Sequence, residues 1–423
     1  MIRDKIIRIF FVFLAAVPFY WGITGRVIHA QTEITSLQFT NPEQDKVVFP
    51  FKFINNLIII PIQINNSDSL HFILDTGLSI SILTELSMGD SLSLNYAKQV
   101  KLTGLGKGDP IDALHSYGNV FSIQGVTGRY QHIYIVMQNV FNLSALLGTR
   151  VHGLIGYNLF KDFVVEINYD KKLITLHRPD RYRFRSRRKS STIPMIIDRT
   201  KPYLYADVIQ AGSAPIRVKL LLDTGASHAL WLDVRSDHRL ELPALNSESY
   251  LGTGLNGEIQ GKVGRIEELR LDKFTFQEPI VAFPDSSSAG DAFGMDGRNG
   301  SLGSEILRRF NVVIDYPHQQ ITLTPNKFFK DRFRVNHAGI EVVAPIPGFP
   351  YYTISSVRKD SPGSQAGLKS GDIIHSINNR NAIKMSLDDV YGFFQSTPGR
   401  RIKMVVKRNG LDFVTYFYLQ KFI

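Results

Sequence analysis

The chain of 423 residues contains no cysteine. Disulfide bonds, thiolate nucleophiles and a lipid anchor on an N-terminal cysteine are therefore excluded. The motifs of two hydrolase classes are missing as well. The 11 histidines form no His-Glu-x-x-His zinc motif, and no Gly-x-Ser-x-Gly nucleophile elbow occurs. The sequence thus predicts no metal site and no bound cofactor.

The composition favours short strands over long helices. The chain contains 33 glycines and 19 prolines, which separate short segments of alternating polarity, as is typical of mainly β proteins. The length alone predicts two or three domains. An apolar content of 43% is sufficient for globular cores.

The positive charge is unevenly distributed. The formal net charge is +11, and basic residues crowd the segment 180–192 and its approach. A solvated connector explains such a run better than nucleic-acid binding, which we do not predict. The residues are Arg178, Arg181, Arg183, Arg185, Arg187, Arg188 and Lys189.

The N-terminus has the layout of a signal peptide. Basic residues at positions 3, 5 and 8 precede an apolar stretch that ends near Gly22, and the small residue Ala30 follows. We therefore predict that residues 1–30 are a signal peptide, and that the protein is exported to a bacterial periplasm or envelope. An uncleaved membrane anchor is the alternative, although Pro18 and the shortness of the apolar stretch disfavour it.

An Asp-Thr-Gly triplet occurs at 75–77 and again at 223–225, each time after an apolar run. Each run predicts a buried strand that ends in a turn and presents one carboxylate. Two carboxylates held face to face can share a proton, so that one acts as a base and the other as an acid. The triplets therefore make Asp75 and Asp223 the candidate catalytic pair.

The surroundings of the triplets are also repeated. Each triplet is followed by a serine two residues on, then a Gly-rich stretch, an apolar segment with glycine, and two β-branched strands joined by a polar turn. The repeat is about 150 residues long and indicates an internal duplication. The paired segments are 102–108 and 251–257, 153–157 and 300–304, and 164–176 and 312–324.

With these landmarks, residues 45–326 resemble the retropepsin/pepsin-type aspartic proteases. The resemblance implies a mainly β fold with two pseudo-symmetric β-barrel lobes, at 31–179 and 193–330, joined by the basic linker 180–192. It implies that Asp75 and Asp223 activate a water between them. The segment Ser301-Leu302-Gly303 departs from the family pattern by one polar residue.

The resemblance also implies roles for the residues around the two aspartates. The threonines brace the loops through hydroxyl bonds to the backbone, and the glycines allow close approach of the chains. Each serine either donates a hydrogen bond to its own aspartate or caps a turn. These residues are Thr76, Gly77, Ser79, Thr224, Gly225 and Ser227.

The Gly-rich stretches are predicted to be flaps that close over substrate. The flap glycines are Gly104 and Gly106 in the first half and Gly254 and Gly257 in the second. A phosphate cradle is the alternative, but no strand-then-helix context supports it. His228, next to the second serine, is interpreted as a subsite wall or turn residue rather than a catalytic group.

The C-terminal residues 337–420 form a different module. The segment 361–374 resembles the central signature of bacterial PDZ domains, small α+β domains that bind peptides at a sheet edge. Residues 386–395 read as a helix with Ser386 as its N-cap. We place the peptide-binding loop at 348–351 and the edge strand at 352–355, where Pro350 offers no N–H. The predicted peptide contacts are Phe349, Tyr351, Ile354 and Val390.

Together these features predict an exported aspartic endopeptidase that acts on polypeptides, with a PDZ module that recruits peptide tails or only packs against the lobes. The duplication predicts a monomer with both aspartates in one chain. Pairing of Asp75 with its copy in a second chain is the structural alternative. A catalytically silent, protease-fold scaffolding protein is the functional alternative.

Overall fold

Strands dominate the computed structural model of this chain, with 47% of residues in strands and 8% in helices. The prediction of a mainly β fold is therefore confirmed. The structure describes residues 35–86, 92–106, 108–139, 141–184, 188–289 and 297–423. The predicted signal peptide and linker residues 185–187 lie outside these ranges. Within them, no helix has the length and apolar character needed to cross a membrane.

The first lobe is built on a nine-stranded sheet. Its longest strands, β8 and β9, form an antiparallel hairpin. In chain order the elements are β1 (Gln38–Phe39), β2 (Lys46–Pro50), β3 (Lys52–Ile54), β4 (Leu57–Ile64), β5 (Leu70–Leu74), β6 (Ser81–Leu83), β7 (Ala97–Leu102), β8 (Ile111–Ile123), β9 (Val126–Val136), α1 (Leu143–Leu147), β10 (Gly153–Ile155), α2 (Tyr157–Phe160), β11 (Val164–Asn168) and β12 (Leu173–His177).

The second lobe repeats this plan around a ten-stranded sheet. Its elements are β13 (Ser191–Pro194), β14 (Ile196–Asp198), β15 (Lys201–Ile209), β16 (Ile216–Leu222), β17 (Leu230–Leu232), β18 (Asn246–Gly254), β19 (Gly257–Arg265), β20 (Glu268–Leu271), β21 (Phe274–Gln277), β22 (Ile280–Pro284), α3 (Ser286–Ala289), β23 (Gly300–Leu302), α4 (Ser304–Leu307), β24 (Phe310–Asp315) and β25 (Gln320–Pro325).

The duplication is visible in how the triplet-bearing strands pair. In the first lobe β10 runs parallel to β5, and in the second β23 runs parallel to β16. In each lobe the paired segments are almost fully buried. A strand buried on both faces reads as a continuous apolar run, which is why the sequence shows no alternation before either triplet.

A six-stranded sheet joins the two lobes, in the order β13-β25-β24-β11-β12-β2. The two hairpins predicted at 164–176 and 312–324 are confirmed, and they pair with each other through β11 and β24. Their inward side chains belong to one apolar core that spans both lobes. The predicted linker ends too late, because Ser191 already pairs with Leu323 in this sheet.

The C-terminal domain has a core of its own. Its sheet has the order β26-β27-β28-β30-β31. The predicted helix is confirmed as α6, where the Ser386 hydroxyl and the Asp389 carboxylate form a reciprocal capping box. The elements are β26 (Ile340–Val343), β27 (Thr353–Val357), α5 (Pro362–Gln365), β28 (Ile373–Ile377), β29 (Arg380–Asn381), α6 (Leu387–Phe394), β30 (Arg401–Arg408) and β31 (Leu411–Tyr418).

This domain docks on the first lobe through the loop between β26 and β27. Ala344 donates its backbone N–H to Ala145 O at 2.8 Å, and Gly348 donates to Gly148 O at 3.0 Å. A cavity of about 280 Å³ lies beside these contacts and is lined by residues of both domains, Phe349 among them. In the loop predicted to bind peptide, the Gly348 N–H is therefore already occupied, whereas Phe349 stays 52% exposed.

Candidate active site

Both Asp-Thr-Gly triplets begin at the end of a buried strand, and the same backbone contact holds each aspartate. Asp75 donates its N–H to Ile155 O at 2.8 Å, and Asp223 donates to Leu302 O at 3.0 Å. The acceptors belong to β10 and β23, the parallel neighbours of the triplet-bearing strands. Because the strand ladder continues through the aspartate, the chain turns only at the threonine.

The two threonines tie the turns of the two lobes together. Thr76 N–H donates to the Thr224 hydroxyl at 3.0 Å, and Thr224 N–H donates to the Thr76 hydroxyl at 3.0 Å. The hydroxyls donate in turn, Thr76 to Leu222 O at 2.5 Å and Thr224 to Leu74 O at 2.8 Å. Both side chains are fully buried. Each hydroxyl thus donates one bond and accepts one, which leaves little freedom in the relative position of the turns.

The brace brings the two carboxyl groups face to face. Gly77 donates its N–H to Asp75 Oδ1 at 2.7 Å, and Gly225 donates to Asp223 Oδ1 at 3.1 Å. A Cβ added at Gly225 would lie only 2.5 Å from Asp75 Oδ2, and one at Gly77 would lie 3.8 Å from Asp223 Cγ. Each carboxyl group therefore packs over the glycine of the opposite lobe.

Electrostatics make it unfavourable for both groups to ionise. Burial, and after it the charge of Asp223, raises the pKa of Asp75 to about 8. Burial also raises the pKa of Asp223, against the opposing effects of Arg298 and the Gly225 N–H. Both side chains keep partial access to solvent. A close pair of this kind holds one proton between its two members near neutral pH.

Within the described ranges no hydrogen bond joins either serine hydroxyl to its own aspartate, so of the two roles left open for Ser79 and Ser227 the structure does not support the bond to the aspartate. The Ser79 hydroxyl lies 2.6 Å from Thr200 Oγ1, and the Ser227 carbonyl accepts from Asn56 Nδ2 at 3.0 Å. Thr200 and Asn56 lie in the β14–β15 and β3–β4 turns. In both cases a hairpin of the opposite lobe reaches the serine, which makes these loops part of the contact between lobes.

The Gly-rich stretches lie at the tips of two hairpins, β7–β8 and β18–β19. Gly104 and Gly106 lie in the loop of the first hairpin, and Gly254 and Gly257 flank the tip of the second. The tips touch each other: Asn256 donates its N–H to Leu105 O at 2.8 Å. Asn256 was not among the predicted site residues, because its partners are about 150 residues away along the chain.

His228 packs beside the second triplet but is held as a neutral side chain. Its imidazole stacks on Trp231 at 4.7 Å, and Nε2 lies 3.1 Å from Ser301 Oγ. Burial lowers the pKa of His228 to about 3. The contact between His228 and Ser301 explains why the segment 300–304 has a polar residue at position 301, since a buried imidazole needs a hydrogen-bond partner.

In the C-terminal domain the predicted peptide-binding edge is misplaced. Strand β27 is internal, because Ile354 donates to Asp372 O and accepts from Gly371 N, both at 2.9 Å, while β26 pairs on its other side. Ile354 and Val390 are fully buried in the core. Phe349 and Tyr351 lie in the loop that docks on the first lobe. The edge of this part of the sheet is β26.

The outward backbone groups of β26 already have partners within the chain. Ile340 O accepts from Asn336 Nδ2 at 2.8 Å. Val342 N–H donates to the Tyr391 hydroxyl at 3.0 Å, and this hydroxyl lies 3.1 Å from Val342 O and 2.9 Å from Glu341 Oε2. Tyr391 belongs to α6, so the helix that flanks the edge also caps it.

No group of three or more His, Cys, Asp or Glu side chains in the described ranges is arranged to hold a metal ion. Two cations act on the aspartates. The charge of Lys201 lowers the pKa of both, and the charge of Arg298 lowers that of Asp223.

Comparison with known proteins agrees with this architecture. A family model described as aspartyl protease matches residues 209–306, which include the second triplet and the second flap. A family model described as PDZ domain matches residues 353–408. A stretch of 117 residues is 33% identical to the bifunctional NAD(P)H-hydrate repair enzyme Nnr of Thermanaerovibrio acidaminovorans, covering 27% of this chain and only 20% of that enzyme. The chain therefore contains a retropepsin-like aspartyl protease domain followed by a PDZ domain.

Proposed function

We propose that this protein is an aspartic endopeptidase that hydrolyses peptide bonds between Asp75 and Asp223. The observation that carries the proposal is the reciprocal Thr76–Thr224 brace, which holds the two carboxyl groups against the glycines of the opposite lobes. A fold that needed only to bind peptides has no reason to hold two half-buried acids face to face, because their mutual repulsion opposes folding.

The chemistry follows from the single shared proton. The ionised member of the pair takes a proton from a water molecule, while the protonated member donates to the oxygen of the scissile carbonyl. When the tetrahedral intermediate collapses, the aspartate that took the proton from water gives it to the leaving amine. The other aspartate takes back a proton from the hydroxyl formed at the carbonyl oxygen, which restores the carbonyl and the single shared proton. Neither aspartate is assigned a fixed role, because the pair titrates as a unit. The cleft under the flaps suits an extended polypeptide.

The test compares Asp75→Asn and Asp223→Asn with wild type on unfolded casein and a peptide library between pH 3 and pH 8. We expect wild type to cleave and each variant to lose at least about 1,000-fold in kcat/KM, as for other single removals from a catalytic unit. Asp68→Asn is the matched control, because Asp68 is exposed and lies on the same lobe. Cleavage by either dyad variant at the wild-type rate contradicts the shared-dyad mechanism.

An inactive wild type that binds the same peptides supports the scaffolding alternative instead. The proposed active species is the monomer, since one chain supplies both triplets. Sedimentation of the active fraction tests this, and activity confined to a dimer contradicts it.

We also propose that the protein acts outside the cytoplasm after removal of residues 1–30. The basic and apolar pattern of the N-terminus supports this. Mass spectrometry of the protein isolated from its native cells checks the cleavage point. An intact N-terminus on a membrane-bound protein favours the uncleaved anchor.

A further inference from the structure

Asn256 is the most extensively bonded residue of the flap tips. Its side-chain oxygen accepts from the Gly104 N–H, and its Nδ2 donates to Gly108 O at 3.0 Å and Asp109 O at 2.6 Å. Its backbone contributes two more bonds, donating to Leu105 O at 2.8 Å and accepting from Gly108 N at 2.5 Å. The side chain is only 4% exposed. All five bonds cross from the second lobe to the first.

The match between the amide and its site is specific. The loop of the first flap offers one N–H and two carbonyls, and a carboxamide supplies one acceptor and two donors. Aspartate has almost the same shape but could accept only from Gly104 and would face the two carbonyls with a negative charge. The glycine at 106 is required, since a Cβ there would lie 2.5 Å from Asn256 O.

An apolar contact accompanies the polar one. Leu105 of the first flap packs against a small cluster of the second lobe that contains Trp231 and Ile259. Gly254 allows this approach, because a Cβ at that position would lie 2.8 Å from Leu105 Cβ. The second lobe thus holds the first flap through the Asn256 amide and, next to it, through the half-buried Leu105.

We propose that Asn256 is a latch that holds the two flaps together over the cleft. An extended polypeptide can enter or leave from the flap side only when the contacts of Asn256 are released. The latch is asymmetric, because a single side chain of the second lobe supplies every side-chain bond. Its effect on substrate rests on the proposed protease function, whereas the holding of the flaps does not.

The absence of cysteine in the chain allows a direct measurement of the flap separation. Spin labels on Gln99→Cys and Glu258→Cys, both at exposed positions on the flap strands, report the distance by pulsed electron resonance in the full-length protein. We expect one narrow distribution for the wild-type latch. Asn256→Ala and Asn256→Asp should shift it to longer, broader distances, with the open fraction raised at least tenfold.

Asn246→Ala is the matched control, because Asn246 lies at the base of the same hairpin and its Nδ2 donates to Pro243 O at 2.7 Å. It should leave the distribution unchanged. The isosteric Asn256→Asp variant guards against a folding defect in Asn256→Ala. If both Asn256 variants keep the narrow wild-type distribution, the latch proposal is wrong.

A kinetic measurement separates the latch from the proposed function. The Asn256→Asp variant without the two labelling cysteines is compared with wild type on a cleavable peptide. We expect its KM to be about tenfold higher and its kcat to stay within about threefold of the wild-type value, because the dyad is untouched. If wild type cleaves nothing but the labels separate in the variants, the proposed function fails and the latch stands. If the labels do not separate in the Asn256 variants but the dyad variants lose activity, the latch proposal fails and the proposed function stands.

Discussion

Thr76 and Thr224 show how single side chains can hold two acids together against their repulsion. Each threonine uses its backbone N–H and its hydroxyl toward the other lobe, so the brace consists of four hydrogen bonds between buried groups. A buried hydrogen-bonding group that loses its partner costs about 1–3 kcal/mol. The free energy that holds the dyad therefore resides in neutral residues next to it.

Thr224→Val should be strongly destabilising, although valine has nearly the same shape. The change leaves Thr76 N–H without an acceptor and Leu74 O without a donor, so we expect the free energy of unfolding to fall by about 2–5 kcal/mol. Urea unfolding followed by tryptophan fluorescence measures this. Thr275→Val, at an exposed position of β21, should change it by less than about 0.5 kcal/mol. Equal effects of the two changes would refute the brace.

Asp75→Asn should stabilise the fold in a pH-dependent way. The pKa of Asp75 is about 8 in the folded protein and 3.8 ordinarily. The carboxyl group of the unfolded chain therefore ionises above pH 4 while that of the folded protein stays protonated, and the free energy of unfolding falls as pH rises from 4 toward 8. Asparagine cannot ionise. We expect the variant to be more stable than wild type by on the order of 2 kcal/mol at pH 8, discounted for partial solvent access, and equal to it at pH 4. Urea unfolding at both pH values checks this, and an advantage larger at pH 4 contradicts the sign.

At the residue scale, the sequence predicts what is encoded locally. Asp75 and Asp223 could be located because strand, turn and carboxylate are consecutive in the chain. Asn256 could not be located, because its partners are about 150 residues away and only the folded hairpins bring them together. The two roles left open for Ser79 and Ser227 did not include contacts with Thr200 and Asn56, because these neighbours come from the other lobe.

At the scale of single elements, the sequence did not identify β26 as the edge strand of the PDZ sheet. Apolar patterns predicted the strands and α6 of the PDZ domain, since these depend on period and capping. Which strand forms the edge depends on pairing with distant segments. Ile354 looks equally suitable for an edge and for a central strand, and only its bonds to Gly371 and Asp372 decide between them.

The cap on β26 predicts that peptide binding is held back by one hydroxyl. Tyr391→Phe keeps the ring in α6 but frees Val342 N–H and Val342 O for an added strand. One net hydrogen bond is worth about 0.5–1.5 kcal/mol, so affinity for C-terminal peptides should rise by about 3- to 10-fold. Fluorescence anisotropy with labelled peptides measures this.

Tyr416→Phe is the control, because Tyr416 lies exposed on the opposite edge strand β31. It should leave peptide affinity unchanged. Equal affinity of wild type and Tyr391→Phe would contradict the cap, and would favour a PDZ domain that only packs against the first lobe through Ala344 and Gly348.

At the scale of the whole molecule, the duplication predicted more than the individual motifs did. Matched landmarks implied two lobes, and the structure adds the sheet in which β11 and β24 join them. The contact between α1 and the PDZ domain had no equivalent in the repeat, so no comparison of the halves could predict it. The repeat and the motifs placed the domains in order along the chain but could not show how they are attached.

The segment between the second lobe and the PDZ domain belongs to the lobe. Arg309 is only 1% exposed. Its guanidinium donates to the backbone carbonyls of Asp331 and Phe329, pairs with Glu305 Oε1 at 2.8 Å and stacks on Phe333 at 4.0 Å. Each N–H of a buried guanidinium needs an acceptor, because a buried donor left without its partner costs about 1–3 kcal/mol.

Two truncated chains test whether the segment that follows β25 belongs to the second lobe. A chain that ends at residue 335 keeps the partners of Arg309 and loses only the PDZ domain, which has a separate core, so we expect the lobes to fold with one calorimetric transition fewer than the full chain. A chain that ends at residue 326 keeps Glu305 but removes Phe329, Asp331 and Phe333, so the Arg309 guanidinium loses two backbone acceptors and we expect the lobes to be less stable by about 2–6 kcal/mol. Arg309→Met in the shorter chain should recover part of this loss, because it removes the charge and keeps the apolar stem. Equal melting of the two truncated chains would show that Arg309 does not depend on the segment that follows β25.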